Sequence, residues 1–258
     1  MFNRLLIIGC GLIGSSILRA ASSKKLSKKI FIYEKSNKNI SEVKKLKIPC
    51  QILKNLNKDI SDIDFVIICT PMSEYHKIIP KLNAHLSSKS IITDVGSTKT
   101  NVLKLIKKQL EKKLKWIPSH PIAGSEVSGP EYGNKNLFLN KWCVIIREKT
   151  TNLKKLKVLK KFWKKLGSQV IFMNANSHDK IFSITSHLPH LIAYNLIKTA
   201  KDFEKIQKNS LIKFSAGGLR DFSRIAASNE IMWRDVFLSN KKNMVSAINL
   251  FAKNLNLF

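Results

Sequence analysis

The feature that most constrains the fold is a glycine motif, Gly9-Cys10-Gly11-Leu12-Ile13-Gly14, placed directly after the apolar run Arg4–Ile8. This spacing predicts a strand, a tight turn and then a helix that begins at the motif. Gly9 would permit the turn, Gly11 would let backbone amides approach a pyrophosphate, and Gly14 would let the helix pack on the strand. The motif therefore predicts the first unit of a dinucleotide-binding sheet, with Leu12 and Ile13 at the cofactor.

A carboxylate follows at the distance that this interpretation requires. Glu34 ends the second apolar run, 20 residues beyond Gly14, where it can accept hydrogen bonds from both ribose hydroxyls. It would also repel a 2′-phosphate, so the predicted cofactor is NAD rather than NADP, although the neighbouring Lys35 and Ser36 weaken that inference. The alternative is a plain tight turn followed by a solvated strand end.

Short apolar runs alternate with helical patterns over the first two-thirds of the chain, as is typical of a parallel sheet covered by helices. The predicted strands are Arg4–Ile8, Ile30–Glu34, Phe65–Cys69, Ser90–Asp94, Trp116–Pro118, Trp142–Arg147 and Gln169–Phe172. The predicted helices are Ile13–Ser22, Ile40–Lys47, Glu74–His85, Thr98–Lys113 and Asn152–Leu166.

From about Ser177 the pattern changes, and apolar residues recur every three or four positions, which predicts helices alone. The expected fold class is α/β: a Rossmann-type, doubly wound sheet over residues 1–174, followed by an all-helical domain over residues 175–258.

The charge is strongly basic, with 46 Lys and Arg against 17 Asp and Glu, a net charge of +29. A nucleic-acid partner is one interpretation. Most of these cations are lysines spread over helical patterns such as Lys104–Lys115, which favours solvated helix faces instead. No specific nucleic-acid partner is therefore predicted, and the remaining consequence is a positive field that steers an anionic substrate.

Four widely spaced cysteines, with no Cys-x-x-Cys pair among them, are expected to be reduced thiols in a cytoplasmic protein. No apolar run approaches the roughly 20 residues of a membrane span, so neither a span nor a membrane partner is expected. No metal site is predicted, because the histidines lack carboxylate or cysteine partners at ligand spacing.

Two further strand ends should reach the same edge of the sheet, because ligands in open α/β sheets bind outside the carboxyl ends of the strands. Cys69-Thr70-Pro71 closes one strand, and Asp94–Lys99 closes another. Thr70, Pro71 and Ser97 are predicted to line the nicotinamide side. For Ser97 and Thr98, a role as helix caps is an equally good interpretation.

The candidate general base is His120, which follows an apolar run and precedes a loop rich in glycine. A histidine held at a strand end is well placed for proton transfer, although a lone histidine is more often structural. The nearby Gly129, Pro130 and Gly133 mark a loop that is expected to close over the substrate.

In the helical part, Ser186 and His190 lie on one helix face at positions i and i+4, and Pro189 is expected to kink that helix. Three of the six arginines, Arg220, Arg224 and Arg234, lie within fifteen residues. Guanidinium groups bind carboxylates bidentately, so this cluster favours an anionic substrate. The alternative is internal pairing with aspartates, or pairing across an oligomer interface.

Six segments together resemble the prephenate/arogenate dehydrogenase family of tyrosine biosynthesis. In chain order they are Gly9–Ser15, Asp94–Lys99, Ser119–Gly129, His178–Asp179, Ser186–His190 and Ser215–Phe237. They extend over nearly the whole chain, and the last four together are specific, whereas the glycine motif alone is not.

The resemblance implies a Rossmann domain joined to a helical dimerisation domain, with the active site in the cleft between them and a homodimer as the assembly. It implies that His120 takes the proton of a ring hydroxyl while hydride leaves the same carbon for NAD, and that Ser97 lies near that hydroxyl. His190 and Arg224 match substrate-binding positions, and Ser186, Asp221 and Trp233 match supporting positions. The implied reaction converts prephenate to 4-hydroxyphenylpyruvate and CO2.

Three alternatives stay open on the sequence. The first is arogenate, which carries an amino group where prephenate has a keto group. The second is a 3-hydroxy-acid dehydrogenase of similar architecture, which is expected to use a lysine base in place of the histidine and arginine cluster. The third is a nucleic-acid-binding protein that uses the lysine-rich faces.

Overall fold

The computed structural model describes residues 1–57, 60–207 and 212–257. The chain divides into two compact units, one comprising residues 1–124 and 128–178 and the other residues 125–127 and 179–258. We call them the nucleotide unit and the helical unit. The structural division falls at His178, whereas the sequence predicts a boundary after residue 174.

The nucleotide unit is built on a six-stranded parallel sheet with the order β3-β2-β1-β4-β5-β6. Its elements, in chain order, are β1 (Phe2–Ile8), α1 (Leu12–Ser23), β2 (Ser27–Tyr33), α2 (Asn37–Lys45), β3 (Gln51–Leu53), β4 (Phe65–Ile68), α3 (Tyr75–His85), β5 (Ile91–Asp94), α4 (Thr100–Gln109) and β6 (Lys115–Trp116). The order reverses at β1, the switch point at which doubly wound sheets bind nucleotides. The predicted Rossmann-type fold is confirmed.

A second, three-stranded sheet completes the unit. Its strands are β7 (Ser119–Pro121), β8 (Trp142–Ile146) and β9 (Gln169–Met173). Helix α5 (Leu153–Leu166) connects β8 to β9. The pair β7–β8 is antiparallel, and the pair β8–β9 is parallel. The prediction of one continuous parallel sheet is therefore wrong for β8 and β9, since strand periodicity shows that a segment is extended and not which sheet it joins.

Burial explains the central strands. Every residue of β4 and β5 is buried, as are Leu5–Ile8 of β1. Strands that are buried on both faces are typically continuous apolar runs, as β4 and Leu5–Ile8 are, whereas β5 ends in the buried polar residues Thr93 and Asp94. On one face Phe65 stacks on Phe2, with ring centroids 4.5 Å apart, and packs against Phe162 of α5 at 4.7 Å. Helix α5 thus covers the same face as α1, and the two faces form separate apolar cores.

The helical unit takes the second half of α6 (Ala175–Phe182), a π-helical turn over Ser183–His187, α7 (Leu188–Gln207), a 3-10 turn over Ile212–Phe214, α8 (Gly217–Ala226), α9 (Glu230–Ser239) and α10 (Lys241–Leu255). Its described residues form no strand, as the sequence predicts. The π-helical turn ends two residues before Pro189, the position at which the sequence predicts a kink, and α7 continues through that proline. Among the described residues, no helix has the length and apolar character needed to cross a membrane.

Candidate active site

The glycine motif forms a turn in which its first and last glycines cannot carry a side chain. Gly9 has φ +86°, and a Cβ on it would lie 2.8 Å from Cγ2 of Thr70. A Cβ on Gly14 would lie 2.1 Å from the carbonyl oxygen of Gly9. Gly11 has no heavy atom within 4 Å of that position, so the space beside its backbone is open. The turn is therefore closed towards the protein and accessible at Gly11, just before α1 begins.

This geometry fits a dinucleotide. The first backbone amides of α1 carry the partial positive charge that a pyrophosphate needs, and Leu12 and Ile13 are the first residues of that helix. Thr70 follows β4 at the neighbouring strand end, and its Oγ1 is buried with no hydrogen-bond partner among the described residues. An unpaired buried hydroxyl is costly unless a ligand completes it.

Glu34 lies just after β2 and joins that strand end to the glycine turn. Its Oε2 accepts a hydrogen bond from the backbone N–H of Cys10 at 2.7 Å, and its Oε1 accepts from the N–H groups of Lys35 and Ser36 at 2.8 and 2.9 Å. The carboxylate thus orders the turn as well as standing at the predicted ribose position. Sequence analysis does not indicate this second role.

The capping interpretation of Ser97 and Thr98 is wrong. Helix α4 begins at Thr100 after Lys99, without a side-chain cap, and the hydroxyl of Thr98 faces the sulfur of Met72 at 3.3 Å. Ser97 lies three residues beyond β5, half-buried, and Pro71 begins the turn that follows β4. Both predicted nicotinamide-side positions therefore follow the carboxyl ends of neighbouring parallel strands.

A buried ion pair lies under this edge. Nζ of Lys99 donates to Oδ2 of Asp94 and to the backbone carbonyl of Ser119, both at 2.6 Å, and Lys99 and Asp94 are fully buried. The other carboxylate oxygen of Asp94 accepts from the indole N–H of Trp116 at 3.1 Å. This network fastens the residue that precedes His120, and nothing in the spacing of these residues indicates it.

His120 lies in the middle of β7, opposite Val144 of β8, rather than at a strand end as predicted. Its Nδ1 is 2.9 Å from Nε2 of His178 in α6, and the two side chains are 9% and 0% exposed. A hydrogen bond between two imidazoles needs one donor and one acceptor, so each ring fixes the tautomer of the other. Sequence analysis places His178 in a segment that carries the resemblance but assigns it no partner and no role, because the two histidines are 58 residues apart.

The loop that the sequence predicts to close over the substrate is bound to α1 in the nucleotide unit. Nη2 of Arg19 donates to the carbonyl of Pro130 at 3.2 Å, and the N–H of Asn134 donates to Oγ of Ser16 at 3.0 Å. A Cβ on Gly133 would lie 2.2 Å from Oγ of Ser15. The glycine serves close packing here, and the structure gives no support to a closing loop.

Within the helical unit, His190 and Ser186 lie together as predicted. Nδ1 of His190 is 2.9 Å from the carbonyl oxygen of Ser186, and the imidazole stacks on the indole of Trp233 with centroids 3.6 Å apart and planes at 21°. Burial lowers the pKa of His190 from its usual value of 6.5, while the Ser186 carbonyl and Glu126 oppose that shift. His190 therefore favours the neutral form.

The three clustered arginines differ in their surroundings. Arg224 in α8 forms an ion pair with Glu126, and its side chain is 60% exposed. Arg234 pairs with the adjacent Asp235 of the same helix at 2.9 Å, so the predicted pairing between helices is not seen for this residue. Arg220 and the predicted supporting residue Asp221 are exposed positions on α8. Arg224 is thus an exposed cation that is paired with one carboxylate.

No group of three or more potential metal ligands occurs among the residues that the structure describes. The fold and the site define a dinucleotide-dependent dehydrogenase: a Rossmann sheet with an open glycine turn at its switch point, a buried histidine pair in the same unit, and a second unit that carries a histidine and an exposed arginine.

Comparisons with known proteins name the family. Residues 18–172 match the family model described as the prephenate dehydrogenase nucleotide-binding domain, and residues 174–257 match the one described as the prephenate dehydrogenase dimerization domain. The chain belongs to the prephenate dehydrogenase family. It is an NAD-dependent oxidoreductase.

Individual proteins agree with this assignment. The chain is 30% identical to the cyclohexadienyl dehydrogenase of Zymomonas mobilis, over 99% of this chain and 87% of that protein. It is 32% identical to the prephenate dehydrogenase of Lactococcus lactis, over 98% and 70%. A crystal structure of the Aquifex aeolicus prephenate dehydrogenase with hydroxyphenyl propionate and NAD+ is 35% identical, with a TM-score of 0.91, over 98% of this chain and 88% of that one.

Proposed function

We propose that this protein catalyses the NAD-dependent oxidative decarboxylation of prephenate to 4-hydroxyphenylpyruvate and CO2, as a step of tyrosine biosynthesis. The observation that carries the proposal is the His120–His178 pair, two buried imidazoles whose ring nitrogens lie 2.9 Å apart, in the unit that also carries the open glycine turn. The glycine turn, Thr70 and Ser97 are proposed to meet the cofactor. Relatives at 30% identity or more that are named for a single substrate are named for prephenate. Arogenate is therefore not favoured.

His120 is the proposed catalytic base. If its Nδ1 donates to Nε2 of His178, then Nε2 of His120 carries the lone pair that takes the proton of the ring hydroxyl. His178 then acts as a positioning residue, in the way that a buried carboxylate orients the histidine of a catalytic triad. The Lys99 contact to the Ser119 carbonyl holds the backbone from which this ring projects.

Removal of the hydroxyl proton raises the electron density on the ring carbon that loses hydride, and NAD supplies the chemistry of accepting that hydride. The ring carboxylate then leaves as CO2, its bonding electron pair completes the aromatic ring as a phenolate, and the phenolate oxygen takes back the proton that His120 had accepted. Because aromatisation makes this step strongly downhill, the chain needs a base and binding groups rather than a strong acid. Ser97 is proposed to hydrogen-bond the same hydroxyl.

The substrate is a dianion, and the helical unit offers the groups that bind such a charge. Arg224 is proposed to bind a carboxylate by exchanging its Glu126 partner for the substrate. His190 is proposed as the second substrate-binding residue, and Trp233 and Ser186 hold its ring in place. Asp221 is proposed to support the helix that carries Arg224. The net charge of +29 attracts such a substrate at long range.

A homodimer formed through the helical unit is proposed as the assembly. The unit matches the dimerization-domain model of the family, and α10 leaves Val245, Ile248, Phe251 and Leu255 between 38% and 60% exposed at spacings of three and four residues. A row of apolar residues on one helix face is typical of a contact between subunits. The proposed compartment is the cytoplasm, which the four free cysteines support.

The test is turnover. Purified protein mixed with prephenate and NAD should form NADH and release CO2 in equal amounts, and it should react more slowly with arogenate or with NADP. A protein that consumes arogenate faster than prephenate would reverse the substrate assignment. Absence of NADH formation with either substrate would overturn the proposed reaction.

A further inference from the structure

The ring of His190 has one nitrogen committed to the protein in every protonation state. Its Nδ1 lies 2.9 Å from the carbonyl oxygen of Ser186, and a carbonyl oxygen only accepts, so Nδ1 carries a proton throughout. The atom that can meet a ligand is Nε2. This atom is an acceptor in the neutral ring, and it becomes a donor only when the ring is protonated.

The surroundings of the ring fix its plane and tolerate both charge states. Trp233, which is 7% exposed, covers one face at 3.6 Å, and an indole face attracts a cation. His187, three residues before His190, has its ring centroid 6.1 Å from that of Trp233, and its Nδ1 lies 3.2 Å from the side-chain amide nitrogen of Asn240. The 125–127 segment contributes Glu126, which is itself paired with Arg224 of α8. The nearby positive and negative charges therefore largely offset each other.

We propose that His190 binds a carboxylate of the substrate only as the imidazolium, so that each substrate molecule brings one proton into the site. The inference rests on the proposed function. There the single hydroxyl of prephenate is assigned to His120, and the remaining oxygens of the dianion are all acceptors. A neutral His190 would face such an oxygen with a lone pair, whereas the protonated ring donates Nε2–H and adds a positive charge.

The consequence is a coupling between affinity and pH. Burial lowers the pKa of the free His190, which keeps the ring neutral at neutral pH, and a bound carboxylate raises that pKa. Between these two values binding takes up one proton, and the dissociation constant rises about tenfold for each pH unit. Below the free-state pKa the ring is already protonated, and the dependence on this group ends.

The experiment is isothermal titration of prephenate into the full-length protein loaded with NADH, which cannot accept hydride. Titrations at about pH 7, close to the reference pKa of histidine, are repeated in buffers of different ionisation enthalpy, because the slope of the observed enthalpy against buffer enthalpy counts the protons taken up. The expected slope is close to one proton per site for the unaltered chain. For His190→Gln, whose amide donates at every pH, the expected slope is close to zero, with an affinity that no longer depends on pH.

Two variants distinguish proton uptake by His190 from the proposed reaction and from the contribution of the Trp233 ring. His120→Asn removes the proposed base and should keep the full proton uptake, so a failure of the proposed reaction leaves this result unchanged. Trp233→Phe keeps an aromatic face and should keep the uptake at a weaker affinity. A slope near zero in the unaltered chain, or an unchanged slope in His190→Gln with the fold preserved by circular dichroism, would overturn the proposal.

Discussion

The nucleotide unit and the helical unit use their apolar residues in opposite ways. In the nucleotide unit β4 and β5 are buried at every position, and two aromatic-rich cores lie on the faces of the sheet. In the helical unit α8 has no buried residue, and α10 buries only Met244 and Ala247. The first unit is complete as a single chain, whereas the second exposes the kind of surface that a second copy covers.

The proposed site residues follow the same division. His120 is buried and held by His178 and by the backbone that Lys99 fastens. Arg224 is 60% exposed and held by one carboxylate. Proton transfer needs a fixed geometry, and capture of an anion needs access. The five predictions that follow test this contrast, from the largest expected effect to the smallest.

Replacement of His120 by Asn should have the largest effect, because it removes the proposed base without removing bulk. Turnover should fall by about 10³- to 10⁴-fold, the upper part of the range for loss of a general base, while NAD affinity stays unchanged. Steady-state rates and NAD titration by fluorescence quenching measure the two quantities. His76→Asn on the exposed face of α3 is the matched control, and normal turnover in His120→Asn would remove the proposed base.

The second largest effect should come from changing the exposed apolar row on α10 of the helical unit. Ile248→Glu combined with Phe251→Glu places two charges on the α10 face and should convert a dimer to monomers, since hot-spot side chains contribute about 2 kcal/mol or more each. Sedimentation velocity measures the change. Lys253→Glu alters charge on the same helix outside the row and should leave the mass unchanged. A double variant that stays dimeric would place the interface elsewhere.

The nucleotide unit is the part that the sequence predicts well. The turn is predicted by the spacing of Gly9, Gly14 and Glu34, because their roles depend on local backbone geometry. All seven predicted strands exist, with ends shifted by a few residues. The very short β3 and β7 were not predicted, because three residues hold too little periodicity to be detected.

Contacts between residues that are far apart along the chain could not be predicted from the sequence. The His120–His178 bond and the contact of Lys99 with the Ser119 carbonyl depend on how the second sheet and α6 pack, and no pattern along the chain fixes that packing. The same limit explains why Gly133 was assigned to a closing loop, since a glycine required for close packing and one required for motion have the same sequence signal. In the helical unit, His190 and Ser186 were found because i and i+4 residues always meet on a helix.

Arg224→Ala should raise the Michaelis constant for prephenate by about 30- to 1,000-fold, because loss of a charge-assisted carboxylate contact costs about 2–4 kcal/mol. NAD affinity should change little, since the nucleotide unit binds the cofactor. Initial-rate kinetics with each substrate varied in turn measure both constants. Arg220→Ala, on the same helix and also exposed, is the control. An equal loss of both affinities would indicate a folding defect instead of a lost contact.

Glu34→Gln tests the turn of the nucleotide unit. Glutamine offers one acceptor oxygen where three backbone N–H groups now meet two carboxylate oxygens, so at least one N–H of Cys10, Lys35 or Ser36 loses its partner. The expected cost is about 1.5 kcal/mol, seen as a roughly tenfold weaker NAD affinity and a smaller preference for NAD over NADP. Glu42→Gln in α2 is the control, and unchanged cofactor binding would show that NAD affinity depends neither on these hydrogen bonds nor on the charge of Glu34.

The smallest effect should come from the surface ion pairs of the nucleotide unit, which tests whether its core alone carries its stability. Hydrogen bonds from Lys35 and Lys77 lower the pKa of Glu74 from 4.5 to about 2. Because the folded-state pKa is depressed, this stabilisation is present above pH 4.5 and is lost as pH falls through about 2. Glu74→Gln should cost only about 0.2–1 kcal/mol in urea denaturation near neutral pH, and the difference between the two proteins should shrink as the pH is lowered. A larger cost at neutral pH would show that the edge of this unit depends on charge as well as on its core.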